Sequence, residues 1–278
     1  MNLQCNLLSM NYIYALNRGM DMQVIRECKP YKIDMLGRQY NPGADPRFVK
    51  VLSQTRFNVY LAAAEGDTDL AFRLYRWNML LAETFLMPCH LLEVGLRNGV
   101  SRKMWARFGA EWPLIAKHQH QWNAEPALSP QMKQFPHEAQ SKVVEQREEI
   151  EADRLKRHIT TPVTSDCVIA QMSFGFWTNM FSARYREMLW NGAAIRAVFL
   201  DCPAGTTSDI VYGSLGRVRE IRNRVAHHEV IFNKQPERRY AELVELCSWL
   251  SRDLGHFIET TSHFDTVFAA KPQPNEAG

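Results

Sequence analysis

Between Phe48 and Phe257, outside residues 109–158, no convincing series of alternating strands appears, and the apolar residues return mostly every three or four positions. That is the period of a helix with one buried face, whereas a half-buried strand needs a period of two. The 278 residues include only 14 Gly and 13 Pro, too few for a turn-rich β design, and their 46% hydrophobic content is ample for a packed core. The chain is expected to be all-α, an irregular helical bundle without internal repeats.

The helices can be placed from their breakers and caps. Pro46 opens a helix through Phe48, Val51, Leu52, Phe57, Tyr60 and Leu61 that ends at Gly66. Asp67 or Thr68 caps a second, with Leu70, Leu74, Trp77 and Leu81 facing inward, and Pro88 marks the start of a third. Residues 109–136 are rich in Pro, Gln, His and Trp and read as a long central connection. Residues 138–158 form a strongly charged helix expected to project into solvent or lie against a partner. Ser165 caps a helix running through Val168, Ile169, Met172, Phe176, Trp177, Met180 and Phe181. Thr207 or Ser208 starts another, and Pro236 precedes the last, which runs through Leu243, Leu246, Trp249, Leu250, Leu254 and Phe257. The helical domain is expected at 46–265. Residues 1–45 read as a variable extension, with Met20 or Met22 as alternative starts, and 266–278 as a flexible tail.

The densest chemistry lies at residues 221–229, Ile-Arg-Asn-Arg-Val-Ala-His-His-Glu. Leu215, Val218, Ile221 and Val225 form the buried stripe of this helix, and Arg219, Asn223 and His227 share the opposite face at four-residue spacing. Arg222 stands roughly 140° from His227 at about 100° per residue, so the two do not meet by sharing a face. A long arginine wrapping round, a distorted helix or a two-fold dimer could each join them. An arginine grips phosphate bidentately and histidine titrates near neutrality, a pair suited to phosphodiester chemistry. His227 or His228 could take a proton from a 2′-hydroxyl, Arg222 could stabilise charge on the phosphoryl oxygens, and Asn223 could orient the imidazole. The same residues would equally serve as the polar face of an ordinary basic helix.

Net charge is only +3, but residues 217–239 hold seven arginines and lysines against three glutamates, an excess of four. Such a local field would draw in a polyanion. Six cysteines (Cys5, Cys28, Cys89, Cys167, Cys202, Cys247) are scattered singly, and neither they nor the carboxylates form a metal-ligand pattern. No metal or other cofactor is expected. No apolar run approaches the length of a membrane span and no signal-peptide core opens the chain, so a cytoplasmic protein without a membrane partner is expected.

Three blocks carry a resemblance. Leu91-Leu92-Glu93-Val94-Gly95-Leu96-Arg97-Asn98-Gly99, Ser173-Phe174-Gly175-Phe176-Trp177 and Arg222-Asn223-Arg224-Val225-Ala226-His227-His228 resemble, in the same order, blocks of the Abi-like (abortive infection) family within the HEPN superfamily. Gly95 stands where the family block has alanine. The resemblance implies a helical, dimeric fold of HEPN type and a bacterial phage-defence endoribonuclease that acts as a growth-arresting toxin without metal. It places the catalytic set on Arg222, Asn223, His227 and His228. Arg219, Arg224, Glu93, Arg97 and Asn98 are further RNA-binding candidates, although Glu93 and Arg97 could simply pair with each other across one turn. The implied partners are RNA, a second copy of the chain and an antitoxin. A non-catalytic RNA-binding or antitoxin-binding module is the alternative. Phe174, Phe176 and Trp177 are expected in the core, as are Trp105, Trp112 and Trp122 in the core or anchoring a loop.

Overall fold

The computed structural model describes residues 46–115 and 137–274. The variable extension, most of the central connection with Trp122, and the last four residues lie outside them. Among the described residues every regular element is a helix: α1 (Pro46–Leu52), α2 (Gln54–Ala63), α3 (Thr68–Phe108), α4 (Trp112–Ile115), α5 (His137–Lys156), α6 (Ser165–Gln171), α7 (Phe174–Asn179), α8 (Arg186–Leu189), α9 (Ser208–Ala226), α10 (Pro236–Leu250), α11 (Arg252–Thr261) and α12 (Phe264–Ala269), with 3₁₀ turns at Ala183–Tyr185 and Gly192–Ala197. The all-α expectation holds for these residues.

The chain divides into two compact units, one of residues 46–77 with 271–274 and one of residues 78–270. In the smaller unit Phe57 and Tyr60 are buried, with Phe57 5.6 Å from Phe72 and Tyr60 5.1 Å from Tyr75 between ring centroids. Asp67 caps α3 as expected, its carboxylate accepting from the backbone N–H groups of Asp69 and Leu70. The first expected helix is instead two. Ser53 takes a left-handed φ of 70°, breaks the run, and caps α2 by accepting from Arg56 N–H.

In the larger unit, the part of α3 from residue 78 onward supplies Leu81, Phe85, Leu92, Leu96, Val100 and Met104, all fully buried. Pro88 does not start a helix but sits inside α3. It removes one rung, at the Thr84 carbonyl, and the apolar stripe buried on both sides outweighs that loss. α3 is also long and apolar enough to cross a membrane, contrary to the expectation that no run approaches that length, although the stripe is used in the core. At Gly95 a Cβ would sit 2.8 Å from Leu250 Cδ1. The departure from alanine in this block thus marks close approach to α10.

Two further expectations are corrected by hydroxyl caps. The helix expected from Ser165 to Phe181 is cut at Met172, because Thr164 caps α6 and Ser173 caps a new helix, α7. The last expected helix is interrupted at Ser251 and Ser262 into α10, α11 and α12, and α12 continues past residue 265 because Phe264 stacks on Tyr240 at 4.0 Å. The charged helix α5 does not simply project: Ala139, Gln140 and Val143 are buried on a face that meets α4 and α6.

Candidate functional site

α9 is built from its buried side outward. Val211, Leu215, Val218, Ile221 and Val225 are buried, as the stripe predicts, and face α10 and α7. Thr207 caps the start by accepting from Ile210 N–H at 3.4 Å. The end is unusual. His227 is the last half-helical residue, and His228 takes a left-handed φ of 56°. His228 N–H donates to Val225 O at 3.2 Å and Glu229 N–H to Arg224 O at 2.8 Å, the paired bonds of a Schellman stop. That position favours glycine, and a side chain there costs roughly 1 kcal/mol.

Asn78 of α3 holds the strained exit in place. It is only 4% exposed, accepts from Ile231 N–H at 2.9 Å and Phe232 N–H at 3.3 Å, and donates to Glu229 O at 3.4 Å. One buried side chain therefore satisfies three backbone groups immediately after the histidines. The Arg224–Glu229 ion pair at 2.9 Å adds to the same corner.

Fifteen residues along α3, Glu93 accepts from the Arg222 guanidinium at 3.2 Å. Glu93 and Arg97 therefore do not pair with each other. Arg97 is half-buried and makes no ion pair among the described residues, and Asn98 is exposed. Behind the pair lies Cys89, whose thiol is pushed up to about 12 by burial; Arg222 pulls the other way and Glu93 adds to the rise. A thiol held protonated there is no nucleophile. Arg219 donates to Thr178 Oγ1 at 3.4 Å and passes 3.9 Å from where a Gly175 Cβ would stand. Phe174, Phe176 and Trp177 are buried as expected, and so is Trp112, but Trp105 is 58% exposed.

Asn223 and His227 lie exposed one turn apart, and neither side chain makes a hydrogen bond among the described residues. α9 is regular through Ala226 and the Arg222 guanidinium is turned to Glu93. Neither a wrapped arginine nor a distorted helix brings Arg222 to His227.

The local positive field is weaker than the count over residues 217–239 implies, because Glu242 lies just outside that window. It pairs with Arg217 at 3.2 Å, Arg238 at 3.4 Å and Arg239 at 2.8 Å. Burial works to raise its pKa, but the Arg239 and Arg217 guanidiniums outweigh burial and hold it below the usual carboxylate range. Asn78, Cys89 and Glu242 escape a sequence reading, since each acts on a partner that no local spacing marks. Among the described residues, no three His, Cys, Asp or Glu side chains gather as a metal-ligand set. No family model, no curated protein and no solved structure matches this chain.

Proposed function

We propose that the chain is a metal-independent endoribonuclease of the abortive-infection type, with a HEPN-type bundle, acting in the cytoplasm as a homodimer. The observation that carries this reading is convergence. Two of the blocks, 129 residues apart, meet where Glu93 accepts from Arg222, and Thr178, next to the third, accepts from Arg219 on the same helix. In this reading the RNA 2′-oxygen attacks phosphorus while His227, or His228 beside it, takes its proton. The P–O5′ bond breaks, the 5′-oxygen is protonated by the second imidazole, and a 2′,3′-cyclic phosphate and a 5′-hydroxyl result. Arg222 stabilises the charge on the phosphoryl oxygens, and Glu93 is the positioning residue that aims it. Asn223, one turn from His227 and not bonded to it in the unbound chain, orients the imidazole once RNA is seated.

Because Arg222 and His227 diverge by roughly 140° on a regular helix, the reading places one protomer's arginine opposite the partner's histidine across a two-fold axis. Arg222→Ala and His227→Ala should each lower cleavage on the order of a hundredfold or more, with folding intact by circular dichroism. The decisive test mixes the two dead variants under conditions of subunit exchange. A shared site recovers about a quarter of wild-type activity, since half the dimers are hybrids with one intact site of two. A site contained in one chain recovers none. Cleavage should survive EDTA. The competing reading, an RNA-binding or antitoxin-binding module without cleavage, is favoured by Arg222 already having a carboxylate partner. It predicts RNA binding that survives His227→Ala and weakens steeply with salt.

A further inference from the structure

A second feature lies along the same face of α3. Glu93, Arg97, Ser101 and Trp105 follow one i+4 ridge, on which successive side chains are neighbours. The ridge leads from the carboxylate that holds Arg222 to the mouth of a cleft of about 570 Å³, a volume in the range of small-ligand sites. Its walls include Asn98, Arg102, Trp105, Glu111, Ser165 and Asp166. Twelve residues of helix put Trp105 about 18 Å from Glu93 along the axis.

The chemistry of the walls selects what can enter. Two carboxylates, Glu111 and Asp166, against the single cation Arg102 make the cleft unfavourable for a phosphate. They suit the ring N–H and amino groups of a heterocycle, as does the amide of Asn98, and Ser165 holds one of these carboxylates in place by donating to Glu111 at 3.3 Å. Trp105, with 58% of its surface open, offers a flat apolar face beside them, whereas Trp112 on the same wall is buried. Arg102 is exposed at the rim and makes no hydrogen bond or ion pair among the described residues, free to meet a phosphate left outside.

We infer that this cleft receives an unstacked base of single-stranded RNA, with Trp105 as its stacking platform, a few nucleotides from the phosphate held at Arg222. The inference rests on the RNA reading above and specifies the substrate as unpaired RNA. Double-stranded RNA keeps its bases stacked and would leave the cleft empty.

The test measures binding of a fluorescein-labelled single-stranded oligouridylate to the full-length His227→Ala protein, which is not expected to cut it. Trp105→Ala should weaken binding about tenfold, the effect of losing one base–aromatic stack, and Trp105→Phe should restore most of it. An oligonucleotide with abasic sites should bind the Trp105 protein and the Trp105→Ala protein alike. Equal or tighter binding of oligouridylate by Trp105→Ala, or the same loss with the abasic ligand, would overturn the inference while leaving the RNA reading standing. Absence of any RNA binding by the folded wild-type chain overturns both. Trp105 is exposed, so its removal leaves the fold intact, which circular dichroism checks.

Discussion

Two helices of nearly equal length, α5 with 20 residues and α9 with 19, are both crowded with charge, and they use it differently. On α5 and just past its end two ion pairs stay within one turn, Arg147 with Glu151 at 2.7 Å and Arg157 with Asp153 at 3.1 Å, and one, Glu138 with Arg184, leaves from the helix's first turn. In the body of α5 the outward contacts are made by Arg147 and Arg154, which donate to the carbonyls of Leu114 and Thr161 and, from Arg154, to Cys167 Sγ. α9 has one loose pair of the local kind, Arg224–Glu220 at 3.8 Å. Its Arg217, Arg219 and Arg222 instead reach groups on α10, α7 and α3. A pair within one turn stabilises a helix slightly and places nothing. A bond to another element fixes where a charged group stands, and α9 places three such arginines within six residues, each on a side chain of a different helix, which α5 does not do.

That contrast can be broken by removing one polar group at a time. The largest effect is expected for Asn78→Ala, which leaves the N–H groups of Ile231 and Phe232 without their acceptor in a buried place. It should cost about 3 kcal/mol in urea unfolding. A loss below 1 kcal/mol would mean that the exit from α9 holds itself.

Glu242→Gln comes next, at about 2 kcal/mol near neutral pH, because three arginines lose their shared carboxylate. The pKa of Glu242 is depressed in the folded state, so its stabilisation is complete above the unfolded carboxylate value and is lost as pH falls through the folded one. Unfolding curves of the two proteins should therefore converge in acid. A penalty unchanged at low pH would point to packing instead of charge. The smallest effect is expected on α5, where Glu151→Ala should cost no more than about 0.5 kcal/mol. A cost there as large as that of Glu242→Gln would erase the distinction between the two helices.

Much of this architecture was legible because it is local. The apolar stripe of α9 from Leu215 to Val225, the Asp67 and Thr207 caps and the helical class are written in spacings of two to four residues. Ser53, Ser173 and Ser251 end helices that the apolar rhythm carries straight through, because periodicity reports a face and not a break. Pro88 erred the other way, since a buried stripe on both sides outweighs one lost hydrogen bond. The three blocks and Arg222 itself could be read, but not that Glu93 belongs to Arg222 rather than to Arg97 four residues away. A partner 129 residues distant leaves no mark in a window, and neither does the way Glu242 quiets an arginine-rich stretch.

The two contacts that hold the arginine and the histidines come from a single rod. Asn78 and Glu93 lie fifteen residues apart on α3, about 22 Å along its axis, and grip α9 and its exit in antiparallel order. They work as the jaws of a caliper set to one length. A residue inserted or deleted in the helical stretch from Arg222 to Val225 would turn one grip away from its jaw by about 100°. The interval from Arg222 to the exit at Ile231, with the histidines inside it, is in that sense a machined tolerance, and the missing rung at Pro88 lies between the jaws that set it.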